Sequence, residues 1–165
     1  MKQTAANGNN LKENIIMKLS TIKSIKTFAN SLVSEPCFRE IVEAVNNDES
    51  DFEVNNVRFI KDGEILNIMA DEIFNGDDYV LGCFNASFIS ENSDLNYELV
   101  EACQNAEAYE VIGKALNATL DQDEKESFCE EYASADGYGH HFNHYDGNSE
   151  EFTIDGVLYR VFDNQ

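Results

Sequence analysis

Positive charge is scarce in this sequence. The chain of 165 residues contains 11 Lys and Arg residues against 32 Asp and Glu residues, a formal net charge of −21. Residues 1–61 hold eight acids and eight bases, whereas residues 62–165 hold 24 acids and only Lys114, Lys125 and Arg160. Proteins bind nucleic acid largely through Lys and Arg contacts with phosphates. We therefore expect no direct nucleic-acid binding, even by residues 80–104, whose spacing is similar to a helix-turn-helix.

Because of other absences, we expect neither a membrane protein nor a secreted one. No apolar run approaches the roughly 18 residues of a membrane span, and the amino end lacks the basic-then-apolar order of a signal peptide. The four cysteines form no C-x-x-C pair: Cys37, Cys83, Cys103 and Cys129. We interpret them as reduced core thiols of a cytosolic protein.

Motifs of enzymes are also missing. No serine lies in a G-x-S-x-G motif, no cysteine lies in the sequence context of a catalytic Cys-His pair, and no glycine-rich phosphate-binding loop is present. The stretch "DQDEKESFCEEY" begins like a calcium loop but lacks Gly at its sixth position and Glu at its twelfth. The sequence therefore predicts neither an enzyme nor a cofactor.

The apolar content indicates a folded chain in spite of the charge. Apolar residues make up 42% of the sequence, and seven Tyr and eleven Phe are interleaved with the acids. The polar, Asn-rich residues 1–17 lack this periodicity, and we predict that they form a flexible leader outside the fold. Residues 18–165 are long enough to bury a core and are predicted to form a single domain.

The periodic stretches predict an α+β fold, with a helical body of about five to seven helices and a small antiparallel sheet. Residues 52–59 and 152–161 alternate apolar and polar side chains on either side of Asn55-Asn56 and Asp155-Gly156. Both dipeptides suit two-residue hairpin turns, which need positive φ. Because an isolated hairpin is marginally stable in water, we expect the two hairpins to pair in one sheet.

Helical spacing of apolar residues predicts the other elements. Two helices precede the first hairpin, one beginning near Leu19 and one over residues 37–45. Five more are expected between the hairpins: one over residues 65–74, one over 77–90, one capped by Ser93 or Asp94, one over 109–116, and one opened by a capping box of Asp121 and Glu124.

All three histidines lie in the segment "DGYGHHFNHYDG", residues 136–147. His140, His141, His144 and Asp136 carry donor atoms that Zn²⁺ accepts, but their spacing is not specific to a metal site. Adjacent residues of an extended segment point to opposite sides, so at most one of His140 and His141 would join His144. Three glycines suit turns with positive φ: Gly137, Gly139 and Gly147. We interpret the segment as a structural connection and predict no metal; a partner contact and a metal or catalytic site are the alternatives.

Six carboxylates fall into two rows with helical spacing, one at i, i+4 and i+7 and one at i, i+3 and i+7. They are Asp94, Glu98 and Glu101, followed by Asp123, Glu126 and Glu130. Side chains so spaced lie about 5–6 Å apart along one helix face, of the same order as the spacing of phosphates on a nucleic acid. We predict that these six acids contact a protein partner.

The size, acidity and scarcity of cations resemble those of the small anti-restriction and anti-CRISPR proteins of phages and other mobile elements. The resemblance is one of class, carried by charge and length over residues 62–165. It implies an inhibitor in the cytoplasm of a bacterial host cell that occupies the basic nucleic-acid-binding surface of a restriction or CRISPR nuclease. Two alternatives stay open: an acidic interaction module whose partner does not handle nucleic acid, and a metal-dependent enzyme built on His140, His141 and His144.

Overall fold

The computed structural model describes residues 23, 25–27, 38–143, 149–154 and 156–164. Contacts divide the chain into two compact units, which we describe separately. The sheet unit contains residues up to 63 and from 143 onward, and the helical unit contains residues 64–142. The predicted leader over residues 1–17 lies outside the described residues, and the single domain over residues 18–165 stays a prediction.

The sheet unit contains four antiparallel strands, β1 (Asp51–Val54), β2 (Val57–Lys61), β3 (Glu150–Ile154) and β4 (Val157–Asp163). Their order in the sheet is β1-β2-β4-β3, so the two predicted hairpins are joined through β2 and β4. Asn55 and Asn56 have φ values of 58° and 65°, and Gly156 has a φ of 81°. These left-handed conformations match the two-residue turns that the sequence predicted.

The core of the sheet unit lies between a helix and one face of the sheet. The helix α1 (Phe38–Asn46) buries Ile41, and it confirms the helix predicted over residues 37–45. Alternate residues of the strands supply the rest of the core: Val54, Val57, Phe59, Ile154, Tyr159 and Val161. Ile25, which has helical backbone, is also buried there. The remainder of the helix predicted from Leu19 lies outside the described residues.

The helical unit contains seven helices. They are α2 (Ile65–Phe74), α3 (Asp78–Gly82), α4 (Ala86–Glu91), α5 (Tyr97–Asn105), α6 (Tyr109–Thr119), α7 (Gln122–Asp136) and α8 (Tyr138–Phe142). Together with the sheet they confirm the predicted α+β fold. No helix among the described residues is long and apolar enough to cross a membrane.

An aromatic cluster packs within the helical unit. The Phe84 ring centroid lies 5.4 Å from that of Phe128 and 5.0 Å from that of Tyr132, in edge-to-face geometry. Phe88 and Phe74 pack on Phe128 in the same way, at 4.9 and 5.5 Å. Such pairs contribute about 0.5–1.5 kcal/mol each beyond the area that they bury. The cluster holds α7 against α2 and the segment that contains α3 and α4.

Two glycines bring α3 and α6 into close contact. A Cβ atom at Gly82 would lie 2.0 Å from the carbonyl oxygen of Tyr109, and one at Gly113 would lie 2.0 Å from that of Asp78. Because each glycine faces the backbone of the other helix, only a hydrogen atom fits at either position.

The single helix predicted over residues 77–90 is wrong. The structure has α3 and α4 instead, with a break from Cys83 to Asn85. The Asn85 side chain accepts a hydrogen bond from the Ser87 backbone N–H at 2.9 Å and thereby starts a new helix. Apolar spacing continues across the break, which is why periodicity did not reveal it.

The core position predicted for the cysteines holds only in part. Cys129 is buried, Cys103 is half-buried, and Cys83 is exposed because it follows the last turn of α3. All three are free thiols. Cys37 lies outside the described residues.

Candidate partner-binding surface

The second predicted row of acids lies on α7 as the spacing indicated. Its helix begins with the predicted capping box: Asp121 Oδ1 accepts from the Glu124 N–H at 3.0 Å, and Glu124 Oε2 accepts from the Asp121 N–H at 2.8 Å. Asp123 and Glu130 are exposed, and Glu126 is half-buried and accepts from Gln122 Nε2 at 3.2 Å. The three carboxylates therefore share one helix, and two of them are exposed.

The first predicted row is only partly helical, because α5 begins later than expected. Its N-cap is Asn96, whose side-chain oxygen accepts from the Leu99 N–H at 3.1 Å. Ser93, one of the two predicted caps, instead donates to the Ile89 carbonyl at 2.6 Å at the end of α4. Asp94, the other predicted cap, lies before the first residue of α5. Only Glu98 and Glu101 of this row lie on α5, at i and i+3.

A polar cleft of about 300 Å³ is lined by Asp94 and by Glu124, an acid of α7 that is not in the predicted row. One wall comes from Glu91 and the turn that contains Asp94, and the other comes from Glu124 and neighbouring residues of α7. Acids that lie thirty residues apart in the sequence thus border the same cleft. The sequence contains no signal for this proximity, since the turn before α5 has no helical periodicity.

The carboxylates of the helical unit face solvent almost without exception. Residues 64–142 contain 18 acids against Lys114 and Lys125, a net charge of 2 − 18 = −16. Sixteen of the 18 side chains are exposed; Asp78 and Glu126 are half-buried. Lys114 pairs with Glu110 at 3.2 Å, and Lys125 lies over the Phe74 ring, 5.2 Å from its centroid. Both lysines are therefore engaged within the unit.

The negative environment also acts on a surface tyrosine of α5. The Tyr97 hydroxyl donates to Glu101 Oε1 at 2.9 Å. This hydrogen bond, followed by the charge of Glu101, raises the pKa of the Tyr97 phenol. Tyr97 is exposed and borders Glu98 and Glu101, so the acidic face of α5 includes an aromatic ring.

The histidine segment has a different geometry from the one expected. Residues 138–142 form α8 and are not extended, and Gly139 lies inside that helix. Gly137, with a φ of 81°, provides the one predicted turn that the structure describes in this segment. His144 and Gly147 lie outside the described residues.

His141 contacts a residue that the sequence did not indicate. Its Nε2 lies 2.9 Å from Oε2 of Glu72 on α2, while His140 is exposed and its ring packs edge to face with that of Tyr132, at 6.3 Å between centroids. Asp136 is exposed at the end of α7. Within the described residues, no group of three or more His, Cys, Asp or Glu side chains is arranged to hold a metal ion.

Compared with models of known protein families, with curated proteins and with solved structures, the chain shows no match.

Proposed function

We propose that this protein is a non-enzymatic inhibitor of a nucleic-acid-handling enzyme, of the restriction or CRISPR nuclease kind. It binds the basic surface on which that enzyme holds nucleic acid and presents carboxylates in place of phosphates. The observation that carries the proposal is the charge of the helical unit: sixteen exposed carboxylates, with both lysines engaged internally.

Physical considerations support this use of the charge. Like charges at such density destabilise a compact domain, so the acids are expected to have a compensating role. A surface of one sign steers an oppositely charged partner and raises the rate of association. The α7 carboxylates, on a helix held by a capping box and an aromatic cluster, are rigidly presented to such a partner.

The first test is capture of a partner from a bacterial lysate at low salt. The bound proteins are eluted with a salt gradient, or with competing duplex DNA or RNA, and identified by mass spectrometry. We expect a nuclease or another nucleic-acid-handling enzyme that both salt and competing nucleic acid release. A partner that nucleic acid does not displace would instead favour the acidic interaction module.

Charge reversal then locates the surface. The variant Asp123→Lys/Glu126→Lys/Glu130→Lys should lose capture and inhibition of the recovered enzyme. The matched control, Glu40→Lys/Glu53→Lys/Glu150→Lys, makes the same change in net charge at exposed positions of the sheet unit and should keep both. Circular dichroism confirms that each variant is folded. Equal inhibition by the two variants would show that α7 is not the contact surface.

A further inference from the structure

A second cavity in the helical unit has walls unlike those of the polar cleft. It encloses about 210 Å³ and is lined by α2, α3, Phe84, Tyr132 of α7 and His141 of α8. Ile73, Val80 and Leu81 make most of its wall apolar. Val80 lines the cavity and is 61% exposed, so it stands at the opening.

Two aromatic rings form the remaining wall. Phe84 and Tyr132 meet edge to face, with centroids 5.0 Å apart. Burial, followed by the nearby charge of Asp136, raises the pKa of the Tyr132 phenol. The face of such a ring attracts a cation within about 6 Å of its centroid.

Two carboxylates stand on the same cavity, and each is positioned by a hydrogen bond. Glu72 lies 2.9 Å from the Nε2 atom of His141. Asp77 Oδ1 accepts from the Tyr79 N–H at 2.9 Å as the N-cap of α3. The described residues that line the cavity include no Lys or Arg. An aromatic wall next to fixed carboxylates is suited to a cationic group with an apolar stem.

We propose that this cavity receives one arginine side chain of the partner protein, an inference that rests on the proposed function and adds a specific anchor to it. A guanidinium group stacks on aromatic rings and binds carboxylates with two parallel hydrogen bonds, which an ammonium group does not do. Pockets for drug-sized ligands enclose about 300–1,000 Å³, so the smaller cavity of about 210 Å³ suits a single side chain. Surfaces that bind nucleic acid are rich in arginine.

The direct test is an NMR titration of the full-length, ¹⁵N-labelled chain with N-acetyl-arginine amide. Its neutral isostere, N-acetyl-citrulline amide, is titrated at the same ionic strength. We expect saturable shifts centred on Val80 and Phe84, with arginine binding about tenfold more tightly than citrulline. Equal affinities, shifts that do not saturate, or shifts spread evenly over all acidic helices would overturn the proposal.

Two variants separate the cavity carboxylates from the general negative field. Glu72→Gln/Asp77→Asn should weaken the binding of arginine amide at least fivefold. Glu107→Gln/Glu131→Gln removes the same charge from exposed positions outside the cavity and should leave the affinity within twofold. If both variants weaken binding equally, the field and not the cavity attracts arginine.

A third comparison distinguishes failure of the cavity from failure of the proposed function. Val80→Trp fills the opening, whereas Val111→Trp changes an equally exposed valine that does not line the cavity. Capture of the nuclease should fall at least tenfold for Val80→Trp and stay unchanged for Val111→Trp. If the Val80→Trp variant still captures the nuclease and the α7 charge-reversal variant does not, the arginine site in the cavity is refuted and the proposed inhibitor function stands. If the cavity binds arginine amide but the chain captures no nucleic-acid-handling enzyme, the proposal that the cavity receives an arginine of such a partner is refuted.

Discussion

Gly82 and Gly113 are the residues at which one added carbon has the largest expected effect. Either Gly82→Ala or Gly113→Ala places a Cβ atom 2.0 Å from a carbonyl oxygen of the facing helix, and overpacking of this kind costs about 1–3 kcal/mol. A helical alanine recovers up to about 1 kcal/mol. We therefore expect a net loss of about 2 kcal/mol in the free energy of unfolding, measured by urea titration.

Gly63→Ala is the control for this prediction. Nothing lies within 4 Å of a Cβ atom at Gly63, so its effect should stay within about 0.5 kcal/mol. If all three variants are equally stable, α3 and α6 do not pack through these glycines.

The cysteines should differ in reactivity according to their burial. Burial, and to a smaller degree the charge of Glu126, raises the pKa of the Cys129 thiol to about 12. We expect iodoacetamide at pH 8 to alkylate exposed Cys83 and to spare Cys129 until urea unfolds the chain, as measured by peptide mass spectrometry. Alkylation of both thiols at one rate in the native protein would contradict this.

The same shift makes stability depend on pH at the alkaline end. In the unfolded chain the Cys129 thiol loses its proton near its ordinary pKa of 9.0, whereas the folded protein retains that proton to about pH 12. The stabilisation is therefore complete below pH 9 and is lost as the pH rises through this interval. Denaturation midpoints should fall more steeply above pH 9 in the native sequence than in Cys129→Ala. Parallel curves would contradict the assignment.

At the level of elements, the capping box of α7 has a measurable role. Asp121→Ala removes the acceptor for the Glu124 N–H, and loss of such a cap costs about 1 kcal/mol. Glu131→Ala is the matched control, because it removes one exposed carboxylate from the same helix outside its first turn. Urea titration should show the loss for Asp121→Ala alone. An equal loss of stability in both variants would mean that removal of a charge, and not loss of the cap, is the cause.

Local chemistry also decided which elements could be predicted. The capping box of Asp121 and Glu124 and the turn at Asn55-Asn56 were predictable because each involves residues within three positions of one another. The break before α4 and the late start of α5 were not, since Asn85 and Asn96 compete with several other polar residues for the same role. Which of them becomes a cap depends on how the neighbouring helices pack.

For the whole molecule, charge predicts how salt affects stability. Opposed carboxylates repel across the helical unit, and the screening length falls from about 30 Å at 0.01 M salt to about 8 Å at 0.15 M. We therefore expect NaCl over this range to raise the thermal denaturation midpoint. The α7 charge-reversal variant should respond less, because it carries less repulsion. A midpoint that falls, or an equal response in both proteins, would contradict self-repulsion as the cause.

Composition and short-range pattern alone determined the charge partition, the α+β class, both hairpins and most helices of this protein. Each of these depends on residue type or on neighbours within one or two turns. Only the tertiary structure decided that Asp94 and Glu124 border one polar cleft, that His141 contacts Glu72, and that Val80 lines a cavity with Phe84 and Tyr132. These contacts join residues tens of positions apart, and sequence periodicity specifies which face of an element is apolar but not which other element covers it.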